Sequence, residues 1–371
     1  SRGEIAYGCS LVEQDMGVIT RVAAAHTEKI GTVDDVAHEK GSMFASLARD
    51  GVALGNGDDL RVRAQLLRSP AARWFTYGFA EDADLRIMER ETRGISLSRV
   101  LLRFGERAQK NLGVFREIEL TLPLLGDAGA YAAAAALLTA AVLRPGLEAE
   151  PIRHALTRLE GEEGRLQVVP LADGTVLLDD CYNANRASVV ASLRTAAELA
   201  RAEGRRMIAV LGEMRELGDL SAEEHRIVGE EAAALGVAAL IAVQGDAAEI
   251  AQVARGQGVE VIFVSDAEAA LNVLRTRIKP GDLVLVKGSR GVGLDGLVRA
   301  LKSPPGLLHD LRTPVPLPQC CWMAQLFERS PLHSLPDHCS HDDRDADQLP
   351  DLALVHPRAA EETNRTSGAG G

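Results

Sequence analysis

"GTVLLDDCYNANRASVVASLRTAAELARAEGRRMIAVLGE", residues 174–213, holds one complete folding unit. Residues 175–180 form an apolar run that ends in two acids, and residues 206–212 form another that ends against Glu213. The segment between them carries its apolar side chains at helical spacing, so the order is strand, helix, strand. Neither run alternates apolar with polar. Strands of that kind are covered on both faces, as in parallel sheets. The same alternation spans 164–302, with further strands at 239–244, 259–264 and 282–287. This predicts an α/β domain of Rossmann-like, doubly wound type.

Open parallel sheets bind ligands beyond the carboxyl ends of their strands, where loops and helix N-termini converge. Three polar clusters are expected there. Asp179, Asp180, Tyr182, Asn183 and Asn185 follow the first strand; Gly212, Glu213, Glu216 and Gly218 the second; Lys287, Ser289 and Arg290 the last. Acids and amides suit ribose hydroxyls or peptide groups, whereas lysine with arginine suits phosphate or carboxylate. Any one cluster is also explained by turn formation and helix capping. Three along one sheet edge point to a ligand crevice.

The first half is more mixed. Strands at 17–22 and 52–54 flank a helix, the alternation over 84–122 suggests an antiparallel meander, and helices follow near 130–144 and 148–159. Between the first two strands, Thr32 and Asp35 form a capping box, and Val33, Val36, Ala37, Phe44 and Leu47 make the buried stripe of the helix. Lys40 falls inside that stripe. A lysine in low dielectric has a depressed pKa and can add carbon dioxide to become a carbamate, an oxygen ligand for Mg²⁺. Alone, Lys40 is more often a snorkelling side chain, and His26 a structural histidine or helix-end partner. As a pair they are candidate metal ligands.

The chain has 371 residues, 46% hydrophobic and 25% charged, with a formal net charge of −12 and 4% aromatic residues. That balance argues against nucleic acid as a partner. The apolar stretch 130–143 reads as a core helix too short to span a bilayer, and no export signal opens the chain, so a cytoplasmic, membrane-free monomer is expected. The five cysteines do not form a disulfide framework. Residues 304–371 lack periodicity and are rich in Pro, His and Asp, which predicts a disordered tail. Its Cys320, Cys321, His333, His338, Cys339 and His341 lack the spacing of a zinc site.

"DDCYNANRAS", "LGEMRELG", "VKGSR" and "HTEKIG" with "EK" downstream resemble, in order and spacing, the motifs of the Mur ligases, and the likeness runs from about residue 2 to 302. The resemblance implies part of a central ATPase domain over 1–160, a C-terminal Rossmann-like domain over 161–303, and a tail from 304 to 371 outside the family pattern. It implies an enzyme that uses ATP and Mg²⁺ to activate the terminal carboxylate of UDP-N-acetylmuramoyl-tripeptide for attack by the amine of D-alanyl-D-alanine. By the same resemblance, His26 and Lys40, the latter carbamylated, hold magnesium. Asn56, Asp58, Arg165, Asp180, Tyr182, Asn183 and Asn185 contact nucleotide, and Glu213, Lys287, Ser289 and Arg290 line the substrate side. Lys40, Arg165 and Lys287 are the catalytic candidates.

Several positions depart from the family. No G-x-x-x-x-G-K-[ST] phosphate loop occurs in these 371 residues, and "GDAGAYAA" from Gly126 stands where the family has Gly-x-His-Asn-x-x-Asn. Cys181, Arg186 and Glu213 replace the family's Ser, Pro and Asp. The expectation is a fragment that turns over no ATP by itself. Two alternatives stay open: a non-catalytic nucleotide- or peptide-binding module, and a ligase of the folylpolyglutamate type.

Overall fold

The apolar runs of the first half assemble into a six-stranded sheet in the computed structural model, which describes residues 2–302 apart from Thr157. Strands β1 (Met16–Ile19), β2 (Val52–Asn56), β3 (Arg73–Gly78), β4 (Leu85–Arg93), β5 (Leu97–Phe104) and β6 (Glu117–Leu122) lie side by side in chain order. The first four are parallel and the last three make the antiparallel meander expected from the sequence. Helices α1 (Glu4–Val12), α2 (Thr27–Ile30), α3 (Val33–Ala45), α4 (Leu60–Leu66), α5 (Glu106–Leu112), α6 (Gly126–Leu143) and α7 (Ala149–Leu156) accompany it. The Thr32–Asp35 capping box opens α3.

Helix α6 starts four residues before the apolar stretch that announced it, and at 18 residues it has the length and apolarity of a short membrane span. Half of it is buried, with Ala130, Ala134, Leu138 and Ala141 fully enclosed, so it is the core helix of the first sheet.

The second sheet contains β7 (Gln167–Pro170), β8 (Val176–Asp180), β9 (Met207–Gly212), β10 (Ala239–Val243), β11 (Glu260–Val264) and β12 (Leu283–Lys287), in the spatial order β11-β10-β9-β12-β8-β7. All pairs are parallel except β7 with β8. Helices α8 (Arg186–Ala202), α9 (Ser221–Ala234), α10 (Ala247–Gly256), α11 (Ala267–Arg277) and α12 (Leu294–Lys302) cover both faces, each over its own apolar cluster. Leu193 and Leu199 of α8 are fully enclosed, each worth about 1.5–3 kcal/mol of burial.

Strands expected from the sequence are present with ends shifted by up to three residues, the largest shift being at β1, expected over 17–22 and observed over Met16–Ile19. Two others, β3 and β7, carry no clear signal, since β7 is a half-exposed edge strand of four residues. At the opposite edge, β11 leaves Phe263 43% exposed, so the rule of full cover on both faces fails there. What matters for the site is the return of the chain: β12 inserts between β9 and β8, so the three strand ends that carry polar clusters are neighbours.

Candidate ligand crevice

Register sets the centre of the crevice. Lys287 at the end of β12 stands opposite Asp180 at the end of β8 and Leu211 near the end of β9. Its side chain is only 3% exposed, and its Nζ donates to Asp180 Oδ2 (2.7 Å) and to the carbonyl of Asn183 (3.0 Å). A buried ammonium is tolerated only when it is paired and its protons are accepted. Asp180 Oδ2 also accepts from the Ser192 hydroxyl on α8. The turn between β8 and α8 is thereby tied to β12. Asn185 caps α8, accepting from Ser188 N–H (2.9 Å), and Asn183 Oδ1 accepts from Ala184 N–H (2.8 Å), so both amides serve the turn itself.

Tyr182 projects from that turn, 43% exposed, between two arginines. The Arg165 guanidinium carbon lies 3.8 Å from the centre of the ring, and that of Arg290 lies 5.6 Å away. Tyr182 N–H also donates to the carbonyl of Gly164 (3.2 Å), fixing the segment before Arg165 to the turn. Among the described residues, neither arginine is ion-paired with a carboxylate. A ring face attracts a guanidinium but does not neutralise it. Two positive charges therefore remain available to an anion, in the forked geometry that suits phosphate or carboxylate.

The third cluster closes the other side. Ser289 is buried; its N–H donates to the carbonyl of Glu213 (3.1 Å) and its Oγ accepts from Arg215 N–H (2.9 Å). The Glu213 carboxylate accepts from Asp246 N–H (3.2 Å) and pairs with Arg215 (3.2 Å). Farther along the loop, Glu216 sits in the left-handed region (φ 63°) and reaches the first half of the chain, where its carboxylate meets His26 Nδ1 and its carbonyl accepts from Glu28 N–H (3.2 Å). The neighbouring His26 holds the Glu216 carboxyl below the usual carboxylate range.

The candidates of the first half have other occupations. Lys40 is half-buried and donates from Nζ to the carbonyl of Arg21 (2.7 Å); burial lowers its pKa, opposed by the charge of Asp59. Asn56 is buried and accepts from Asp58 N–H (2.9 Å). The Asp58 carboxylate accepts from the N–H groups of Phe79 (2.7 Å) and Ala80 (2.8 Å) and from the Tyr131 hydroxyl (2.7 Å). In the "GDAGAYAA" segment, Tyr131 thus works as a donor to Asp58. A hard cation wants six or more oxygen ligands, and among the described residues no group of three His, Cys, Asp or Glu could hold a metal. In the structure His26 is engaged by the Glu216 carboxylate and Lys40 by the carbonyl of Arg21.

Convergence is therefore uneven. Lys287 joins Asp180 and Asn183 by hydrogen bonds, Arg165 and Arg290 join through the ring of Tyr182 in the same turn, and Ser289 and Glu213 adjoin through the loop after β9. His26 comes to that loop only through Glu216, while Asn56 and Asp58 stay within the first half. Sequence reading missed Ser192, Arg215 and His225, which hold the crevice from behind. His225 alone left a signal, a polar residue on the buried stripe of α9 with Val228 and Ala232. Cys9 and Cys181 are free thiols, and the tail cysteines and histidines lie outside the described residues.

A family model described as "Mur ligase middle domain" matches residues 2–140, and one described as "Mur ligase, glutamate ligase domain" matches residues 164–290. The chain belongs to the Mur ligase family. Within that family, a Synechocystis protein named UDP-N-acetylmuramoyl-tripeptide–D-alanyl-D-alanine ligase is 31% identical over 300 residues, covering 81% of this chain and 60% of the relative. A Mycobacterium leprae protein of the same name is 32% identical over 324 residues, covering 81% of this chain and 61% of its own. The chain thus spans about 60% of the length of these relatives. The MurF ligase of Thermotoga maritima, solved in complex with ADP, shares the fold with a TM-score of 0.67 at 23% identity, over 81% of this chain and 65% of that one.

Proposed function

We propose that the chain carries the crevice half of an ATP-dependent amide ligase that joins D-alanyl-D-alanine to UDP-N-acetylmuramoyl-tripeptide. In that reaction the γ-phosphoryl group passes from ATP to the terminal carboxylate of the tripeptide, giving ADP and an acyl phosphate. The dipeptide amine attacks the acyl carbon, phosphate leaves with the C–O bonding pair, and the nitrogen gives up a proton. Positioning and charge stabilisation supply most of the rate in such transfers. Arg165 and Arg290 are suited to the migrating phosphoryl charge, Lys287 to ordering the turn beneath it, and Asp180 to a ribose hydroxyl. Asn183, Asn185, Glu213 and Ser289 shape the walls. Magnesium belongs to this reading as a companion of the nucleotide phosphates, and no step here depends on it. The soluble substrates put the reaction in the cytoplasm, with the chain acting as a monomer.

The observation that carries the reading is the pair of arginines around Tyr182, without a carboxylate partner among the described residues, beside the buried Lys287–Asp180 pair. Calorimetric titration with ATP tests it. Arg165→Ala should weaken binding by about tenfold or more, the loss expected when one charge-assisted contact of roughly 1.5–3 kcal/mol is removed; unchanged affinity would remove the nucleotide from the crevice. A second reading is a non-catalytic binding module that keeps the crevice, and turnover separates the two. Nucleotide binding without ATP-dependent phosphate release, both substrates present, is the result expected of the chain alone, and release of phosphate would exclude the module.

A further inference from the structure

The loop after β9 is fastened by its backbone at three consecutive residues. Glu213 N–H donates to the carbonyl of Val243 (3.1 Å), Met214 N–H to His225 Nε2 (2.9 Å) and Arg215 N–H to Ser289 Oγ (2.9 Å). Of these anchors only the imidazole titrates near neutrality. His225 lies on α9, wholly buried, and its Nδ1 faces the carbonyl of Ser221 (2.7 Å), with Ser221 Oγ at 3.4 Å. A carbonyl only accepts and an amide N–H only donates. Both bonds hold together only for a neutral ring with its proton on Nδ1. An imidazolium would set N–H against N–H at Met214.

We propose that His225 is a positioning residue whose unprotonated Nε2 holds the loop carrying Glu213 and Glu216 against the crevice, and whose protonation releases that loop. That the loop serves a ligand rests on the reading given above, whereas its attachment to His225 does not. The charged groups turned toward the ring are Glu213 on the loop and Asp246 and Glu249 beside and on α10, all favouring the imidazolium. Burial outweighs them and lowers the His225 pKa from its ordinary 6.5. The fastened loop therefore favours the neutral ring. Its attachment is complete above about pH 6.5, where the ring in the released loop is also neutral, and weakens as pH falls toward the lower pKa of the fastened state. Within that window each pH unit raises the released fraction by at most about tenfold.

Amide hydrogen exchange of the 371-residue chain between about pH 7.5 and pH 5, corrected for intrinsic rates, tests this across the window where histidine titrates. Protection of Met214 should fall as pH drops below 6.5, at a rate of at most about tenfold per pH unit, while amides of β8 and β12 keep theirs. His225→Gln, which can accept from Met214 but not titrate, should show protection independent of pH. A flat wild-type profile, or equal loss in β8 and β12, would overturn the proposal. So would the same slope in His225→Gln. Should that variant fail to fold, the wild-type series still decides, and ring nitrogen shifts placing the neutral proton on Nε2 would also sink the idea. Loss of nucleotide binding in Arg165→Ala leaves all of these outcomes untouched.

Discussion

Lys287 shows how one buried charge organises the crevice. Its ammonium, 3% exposed, is balanced by Asp180, 13% exposed, and also holds the carbonyl of Asn183. Removing one member of a buried pair costs far more than removing both, because the survivor is left charged and unsatisfied. Lys287→Met should lower stability by about 3–5 kcal/mol, while Lys287→Met with Asp180→Leu should recover most of the loss. Denaturant titration of the three proteins measures this, and equal losses for the single and double variants would show that the pair contributes nothing beyond packing. Both residues were legible in the sequence as strand-end polar groups. Their pairing was not, because it depends on β12 inserting beside β8, and 107 residues separate them.

Among the elements, α6 starts under a constraint set by another helix. Gly126 has φ +67°, and a Cβ built there would lie 2.1 Å from Thr195 Oγ1 on α8, an oxygen already bonded to the carbonyl of Ala191 (2.9 Å). Gly126→Ala should cost about 1–2 kcal/mol from the left-handed backbone alone, with more from displacing Thr195. Adding Thr195→Ala should recover the second part and not the first. Thermal melting of the single and double variants separates the two contributions; full recovery would mean the backbone carries no strain. The sequence announced α6 through its alanine-rich stretch and not through its first turn. Residues 126–129 have no apolar period, and what places them is contact with α8. The central strands of the second sheet were easier to read because each is a continuous apolar run buried on both faces.

At the scale of the molecule, the seam between the two sheets joins residues that no local pattern connects. Arg90 on β4, 15% exposed, donates from Nε to Asp127 Oδ1 on α6 (2.9 Å) and from Nη1 to Glu198 Oε1 on α8 (2.7 Å), and the Thr92 hydroxyl donates to the same glutamate oxygen. Ala24 and Leu125, from the first half, belong to an apolar cluster of the second sheet, with Ile95 packed against it. Each charge-assisted bond at Glu198 is worth about 1.5–3 kcal/mol. That is enough, beside so few apolar contacts, to decide whether the two halves melt together. The wild-type chain should show a single calorimetric transition, with the enthalpy matching its van't Hoff value. Arg90→Ala with Glu198→Ala should uncouple the halves and give two transitions, or one with a calorimetric enthalpy clearly above the van't Hoff value. A double variant that still melts in one transition would place the coupling in Leu125 and Ile95 instead. Leu125→Ala and Ile95→Ala would then be the substitutions that split the melt.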